Sequence, residues 1–242
     1  SMIEQDATHR FITDTERSTW NGKASTAVAT QSADGLMSSA DKKNLDDLLG
    51  AEADFSTAIR LNPVYTQAYT YRAITRSRLG NYDDALQDFR EAIDLRPDLP
   101  DAYYSRGYTR LQNKQYEEAI EDFDKFIFQE NKVADAYIGR GTAYLYLKDT
   151  VRALENFDQA IRTNRENPNG YYQRGTLLLQ KEEYARAEAD FDMSIRCDSA
   201  FLPPYFNRAV VYSNTNRPMQ ALADFDLSLI HISEPTRHSL IS

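Results

Sequence analysis

A step of 34 residues runs through most of this chain, and no other feature restricts its fold as strongly. Phe55, Phe89, Phe123, Phe157, Phe191 and Phe225 stand 34 apart, and so do Ala51, Ala85, Ala119, Ala153, Ala187 and Ala221. Tyr69, Tyr103, Tyr137, Tyr171 and Tyr205 keep the same step, three residues ahead of Arg72, Arg106, Arg140, Arg174 and Arg208. Six markers in phase without an insertion define a repeat array, in which each unit buries its apolar face against its neighbours. Such an array grows by stacking, so its length of 242 residues does not count globular domains.

Within one period the apolar pattern is helical twice over. Tyr103, Gly107 and Arg110 fall at i, i+4, i+7, and Ala119, Phe123, Phe126 and Ile127 fall at i, i+4, i+7, i+8. Small residues at Ala73, Gly107, Gly141, Gly175 and Ala209 let a partner helix approach, and the recurring Phe fills the space opposite. Asn62-Pro63, Arg96-Pro97, Asn167-Pro168 and Pro203-Pro204 separate the units. Helix pairs are predicted near 66–79 and 83–96, 100–113 and 117–130, 134–147 and 151–164, 168–181 and 185–198, and 202–215 and 219–230.

The plainest copy reads Asp101-Ala-Tyr-Tyr-Ser-Arg-Gly-Tyr108 and then Tyr116-Glu-Glu-Ala-Ile-Glu-Asp-Phe-Asp124. Tyr-x-x-Arg-Gly followed by Ala-x-x-x-Phe-x-x-Ala and a Pro resembles the tetratricopeptide (TPR) repeat, over about residues 51–230. That resemblance implies an all-α, right-handed helical solenoid of antiparallel helix pairs, used to bind a protein or peptide in a concave groove. Carried onto this chain, the groove positions of the first helices are Thr70, Tyr71 and Ile74; Tyr104, Tyr108 and Gln112; and Ile138, Thr142 and Tyr146. Tyr172, Thr176 and Gln180, then Phe206, Asn207 and Asn214, complete the set, which is aromatic and neutral. Exposed tyrosine offers a large contact area and a hydroxyl at low entropic cost. The Lys/Asn set with which chaperone-binding TPRs hold a terminal carboxylate is absent, because Thr70, Tyr104, Ile138, Tyr172 and Phe206 occupy those positions.

The five arginines recur with an acidic column, Asp54, Asp88, Asp122, Asp190 and Asp224, in which Asn156 is the neutral member. A ladder of partly buried Arg–Asp contacts would fix helix register. The competing reading has the arginines lining the groove and binding acidic peptides; the reach of each guanidinium decides between them.

The first fifty residues differ in composition. His9-Arg-Phe-Ile-Thr-Asp-Thr-Glu-Arg-Ser-Thr-Trp-Asn-Gly-Lys-Ala24 and Ser32-Ala-Asp-Gly-Leu-Met-Ser-Ser-Ala-Asp-Lys-Lys-Asn-Leu-Asp46 resemble a segment of bacteriophage tail-fibre and baseplate proteins. This implies a leader over residues 1–50 and, as the alternative function, a virion structural component that oligomerises through it. Short helices are predicted there at Asp14–Asn21 and Ser39–Leu49. Ala51–Pro63 carries a second-helix pattern. Leu227-Ser-Leu-Ile-His-Ile-Ser-Glu-Pro-Thr-Arg237 resembles the translation of a sequencing-library adapter, which implies a metagenomic origin, a non-native tail over 231–242 and a natural chain continuing beyond Asp226.

Chemistry is sparse by comparison. His9, His231 and His238 lie outside the array and Cys197 is the single cysteine, so neither a His/Cys metal site nor His-dependent catalysis is expected. No Gly-rich phosphate loop occurs, and no cofactor or enzymatic activity is predicted. A net charge of −9 without a basic stripe argues against nucleic acid or an anionic membrane as partner. No apolar run reaches membrane-spanning length and none resembles a signal peptide, so the expected location is cytoplasmic, with the virion as alternative. The expected state is a monomer or a leader-mediated oligomer.

Overall fold

The computed structural model describes residues 4–5, 11–12 and 39–233, with side chains described from 43 to 227. The predicted helix Asp14–Asn21, most of the phage-like segment, and residues 234–242 of the tail lie outside the described residues. Among those described, a two-residue antiparallel pair, β1 (Glu4–Gln5) with β2 (Phe11–Ile12), precedes eleven helices. The helices are α1 (Ser39–Leu61), α2 (Thr66–Arg78), α3 (Tyr82–Leu95), α4 (Pro100–Gln112), α5 (Tyr116–Gln129) and α6 (Ala134–Tyr146). They continue as α7 (Thr150–Thr163), α8 (Pro168–Gln180), α9 (Tyr184–Cys197), α10 (Pro203–Asn214) and α11 (Pro218–Ser233). The fold is the all-α helical solenoid class, built of antiparallel helix pairs. Two compact units divide inside α5, Ser1–Asp122 and Phe123–Ser242.

Each repeat changes direction at the same kind of turn. Gly80, Lys114, Lys148, Glu182 and Asn216, again 34 apart, adopt φ between 57° and 81°. In each case the next N–H reaches back five residues: Asn81 to Arg76 O, Gln115 to Arg110 O, Asp149 to Tyr144 O, Glu183 to Leu178 O and Arg217 to Tyr212 O. This is the left-handed helix stop that satisfies terminal carbonyls and lets the second helix start within two residues. Only Gly80 takes that φ without a steric penalty; two lysines, a glutamate and an asparagine take it because packing on both sides holds them there. Prolines at the start of α4, α8 and α10 suit a position whose N–H has no intrahelical partner.

In the first unit the core is Ala73, Ala85, Phe89 and Ala102, with Ile74, Ile93 and Leu99 against it. In the second unit Ala153, Phe157 and Leu177 form one cluster, and Leu178, Ala187, Phe191 and Val211 the next. Burying one such phenylalanine contributes about 1.5–3 kcal/mol. The ring needs a small residue opposite. A Cβ added at Gly175 would lie 2.9 Å from Phe191 Cε1, and one at Gly141 2.7 Å from Phe157 Cε1.

One difference from the sequence expectation lies in α1. The stretches read as separate helices, Ser39–Leu49 and Ala51–Pro63, join in a single helix of 23 residues that runs through Gly50 and stops at Leu61. A lone glycine inside a helix costs only about 1 kcal/mol, less than the continuous backbone hydrogen bonding it would otherwise interrupt. Nothing lies within 4 Å of a Cβ placed at Gly50, so no neighbour forces a break there.

Candidate functional site

The first helix of each repeat (α2, α4, α6, α8, α10) carries the columns Tyr-x-x-Arg and, one residue on, the small residue that admits the Phe. Their geometry shows which polar groups are already engaged within the repeats. In the first unit Arg72 donates from Nε and Nη2 to the Asp88 carboxylate at 2.8 and 2.6 Å, and Arg76 adds Nη1 at 2.9 Å. Arg106 does the same to Asp122 at 2.9 and 2.7 Å, joined by Arg110 Nη1 at 2.7 Å. Here each buried aspartate serves two arginines.

The second unit reverses the ratio. Arg174 donates to Asp190 at 2.8 and 2.6 Å and, through Nη1, to Asp158 at 2.6 Å. Arg208 reaches Asp224 at 2.7 and 2.8 Å and Asp192 at 2.6 Å. Arg140 takes Asn156 Oδ1 at 2.8 Å and Asp124 at 2.5 Å. Each of these three arginines joins the second helix of its own repeat to the second helix before it. The hydrogen bond that Arg174 donates to Asp190, then the one to Asp158, holds its guanidinium well above its ordinary pKa, and the one to Asp224 does the same for Arg208. In four repeats the guanidinium also lies 5.5–5.7 Å from the Tyr ring three residues earlier. All five guanidinium groups are engaged, so an acidic ligand finds no free cation in this column.

The remaining face of the first helices is uncharged and uneven in depth. In the first unit Thr70 is buried and returns its hydroxyl to Thr66 O, while Ile74 packs on the core. Tyr71 is 54% exposed and stacks on Phe55 at 5.8 Å. Tyr104 and Tyr108 form an edge-to-face pair at 5.0 Å. Ser77 donates to Gln112 Oε1 at 3.4 Å and accepts from Thr109 at 3.0 Å.

In the second unit Ile138 is buried among Ala134, Tyr137 and Ala160, and Thr142 donates to Ile138 O. Tyr146 is half-buried and Gln180 exposed. Tyr172 lies edge-on to Phe201 at 5.4 Å and tilted to Phe191 at 6.4 Å, and burial pushes its phenol pKa up. Asn207 Nδ2 donates to Thr176 Oγ1 at 3.0 Å, and that hydroxyl donates to Tyr172 O at 2.8 Å. Phe206 is 46% exposed, its ring 5.4 Å from Phe225, and Asn214 caps Val210 O.

Buried Thr70 and Ile138 therefore offer a ligand almost no area. Phe201, itself buried, packs on Tyr172 from the connection between α9 and α10, and its column holds Tyr65, Leu99, Val133 and Asn167, so no repeated residue type marks it in the sequence. Cys197 is half-buried with Sγ 3.5 Å from Arg165 O, and burial pushes the thiol pKa up, away from a nucleophilic thiolate. Among the described residues no three His, Cys, Asp or Glu side chains converge as a metal site would need. No described helix is long and apolar enough to cross a membrane.

Comparison with known families reaches the same repeats. Residues 77–114 match the TPR repeat model, and residues 138–200 match the tetratricopeptide repeat model. Over those two stretches the chain carries tetratricopeptide repeats. Solved TPR structures share its fold: the MamA protein, at 20% identity and a TM-score of 0.58, covers 73% of this chain and 97% of its own length. A thermophilic TPR protein from Thermus thermophilus has 22% identity and a TM-score of 0.60, covering 70% of this chain and 93% of its own. YrrB, described as a TPR protein with an unusual peptide-binding site, has 22% identity and a TM-score of 0.54, covering 75% and 93%. No curated protein sequence matches significantly. TPR repeats are in general a non-catalytic protein-interaction fold.

Proposed function

We propose that this TPR chain is a non-catalytic scaffold that binds a protein or peptide segment along the uncharged faces of its first helices. The observation that carries this reading is the division of labour on those helices. The arginines are consumed by aspartates, while aromatic, hydroxyl and amide groups such as Tyr71, Tyr104, Gln180 and Phe206 remain at the surface or half-buried. Such groups bind through area and neutral hydrogen bonds rather than charge. The likeness to YrrB, whose description names a peptide-binding site, supports the same reading. The acting residues are Tyr104, Tyr108 and Gln112 in the first unit and Thr142, Tyr172, Thr176, Gln180, Phe206 and Asn207 in the second. The setting proposed is the cytoplasm, with no cofactor.

The test begins with selection of peptides from a displayed random library on the immobilised full chain, followed by titration of a selected peptide in solution. Phe206→Ala removes contact area from an exposed ring and is expected to weaken binding about tenfold, equivalent to about 1.4 kcal/mol. The salt dependence should be shallow. A peptide that binds Phe206→Ala and Tyr104→Ala as tightly as the parent chain contradicts this site.

A further inference from the structure

Four of the five column arginines reach back sixteen residues with Nη1. Arg140, Arg174 and Arg208 donate it to Asp124, Asp158 and Asp192 at 2.5–2.6 Å, and Arg72 donates it to Ser56 Oγ at 3.1 Å. For Arg106 the position sixteen back holds Arg90. A guanidinium cannot accept a hydrogen bond, and its charge repels the one it would meet. Arg106 is also the most buried of the five, its side chain 9% exposed against 15–24% for the others. Asp122 holds its Nε and Nη2, but Nη1 has no acceptor among the described residues.

Neighbouring side chains do not make up the difference. Arg90 is exposed, turns Nη2 to Gln87 Oε1 at 2.6 Å on its own helix α3, and forms no ion pair among the described residues. Glu91 accepts from Gln87 Nε2 at 2.7 Å, and Asp94, one turn beyond Arg90, stays out of salt-bridge range of it. The equivalent acids Asp124, Asp158 and Asp192 are 41–51% exposed, so this position is reached from solvent. The register thus leaves a buried Nη1 and an exposed guanidinium where three other repeats hold a carboxylate.

We infer that this position takes the carboxylate of an acidic side chain carried by a partner protein, with Arg106 donating from inside and Arg90 from the surface. A carboxylate suits it because its two oxygens can accept from both guanidinium groups at once, as aspartate oxygens accept from two arginines elsewhere in this unit. The surroundings narrow the partner further. α3 exposes Asp84, Glu91 and Asp94, and α5 exposes Glu117, Glu118 and Glu121, so a run of acids would be repelled. One acid within a basic segment complements both the arginine pair and its acidic frame. The position lies between the second helices α3 and α5, away from the first-helix faces, so the two binding readings succeed or fail separately.

The probe is a labelled, acetylated and amidated peptide of alternating lysine and alanine with one central glutamate, beside its glutamine twin. Both are titrated into the full chain at low salt and followed by fluorescence anisotropy. The lysines bring either peptide to the acidic helices, so the difference between the two reads the site. On the parent chain the glutamate peptide should bind about fivefold more tightly despite its lower net charge, the size of a partly exposed ion pair. In Arg90→Gln that preference should vanish. Arg78→Gln, which removes an exposed arginine from α2, should leave it intact. The Nε–Hε NMR signal of Arg106 should move with the glutamate peptide and stay with the glutamine one. Equal affinity of the two peptides for the parent chain, or no saturation with either, overturns the inference, as does a preference that survives Arg90→Gln. Inorganic phosphate provides the other arm. If phosphate alone moves the Arg106 signal and erases the glutamate preference at millimolar concentration, the position belongs to a free anion and the partner side chain is overturned.

Discussion

Replacing Phe191 with alanine lowers the stability of the second unit by about 3–5 kcal/mol, the usual cost of emptying a packed aromatic site. The ring is fully buried between two first helices: Gly175 of α8 comes so close that it has no room for a methyl group, and Val211 of α10 shares its cluster. Neither helix can close the void alone, since each is also held by the Arg174–Asp190 and Arg208–Asp224 bridges. The cavity therefore persists, and the apolar transfer loss is not recovered by collapse. Guanidinium denaturation followed by circular dichroism measures the effect as a lower midpoint. Stacked repeats unfold in segments, so an early transition in the mutant rather than a uniform shift is part of the expectation. Phe128→Ala provides the control: that ring is 91% exposed, and its loss should change stability by no more than about 0.5 kcal/mol. Equal midpoints for the two variants would refute the packing described for the recurring Phe.

Asp122→Ala is expected to cost about 3–5 kcal/mol in the first unit, through charge rather than volume. The carboxylate is completely buried and is the shared acceptor of Arg106 and Arg110. Removing it leaves two cations close together with their counter-charge gone, and Arg106 is itself buried. Asp122→Asn should be milder, and Asn156 shows why. In the same column that amide accepts from Arg140 Nε at 2.8 Å and turns its Nδ2 to Arg152 O at 2.8 Å. The equivalent carbonyl at position 122 is Glu118 O, already taken by Arg110 Nη1 at 3.0 Å. Asparagine thus keeps Arg106 and displaces Arg110. The order parent, Asn, Ala in denaturation midpoint is the prediction; Asn as damaging as Ala would mean that shape, not charge, is what the site requires.

The helices were readable because two periodicities coincide. The 34-residue step marks the unit and the 3.6-residue step marks the buried face, so the ten helices predicted between residues 66 and 230 lie within one to three residues of those observed. The merging of two segments into α1 was not readable, because Gly50 is compatible with a helix stop and with an interior position alike. The left-handed turn residues were hidden for another reason. Lys114, Lys148 and Glu182 have no local preference for positive φ; the packing of the helices on either side imposes it.

The candidate site was legible as a face but not in depth. Helical spacing puts Thr70, Ile138 and Phe206 in one column, yet the first two are buried and the third is exposed. Depth depends on what each neighbouring helix sends across, such as Phe201 against Tyr172 or Asn207 against Thr176, and those partners lie about one repeat away in sequence. The second acid of Arg140, Arg174 and Arg208 is a counterexample. Asp124, Asp158 and Asp192 keep the 34-residue step and could have been found from the sequence as a column.

The measurement closest to the central claim is hydrogen–deuterium exchange of the full chain with and without a library-selected peptide. Binding along the first-helix faces predicts slowed exchange in α2, α4, α6, α8 and α10, with the second helices α3, α5, α7 and α9 little changed. Protection confined to the second helices, or to residues 1–50, would contradict that claim and move the binding function elsewhere in the chain.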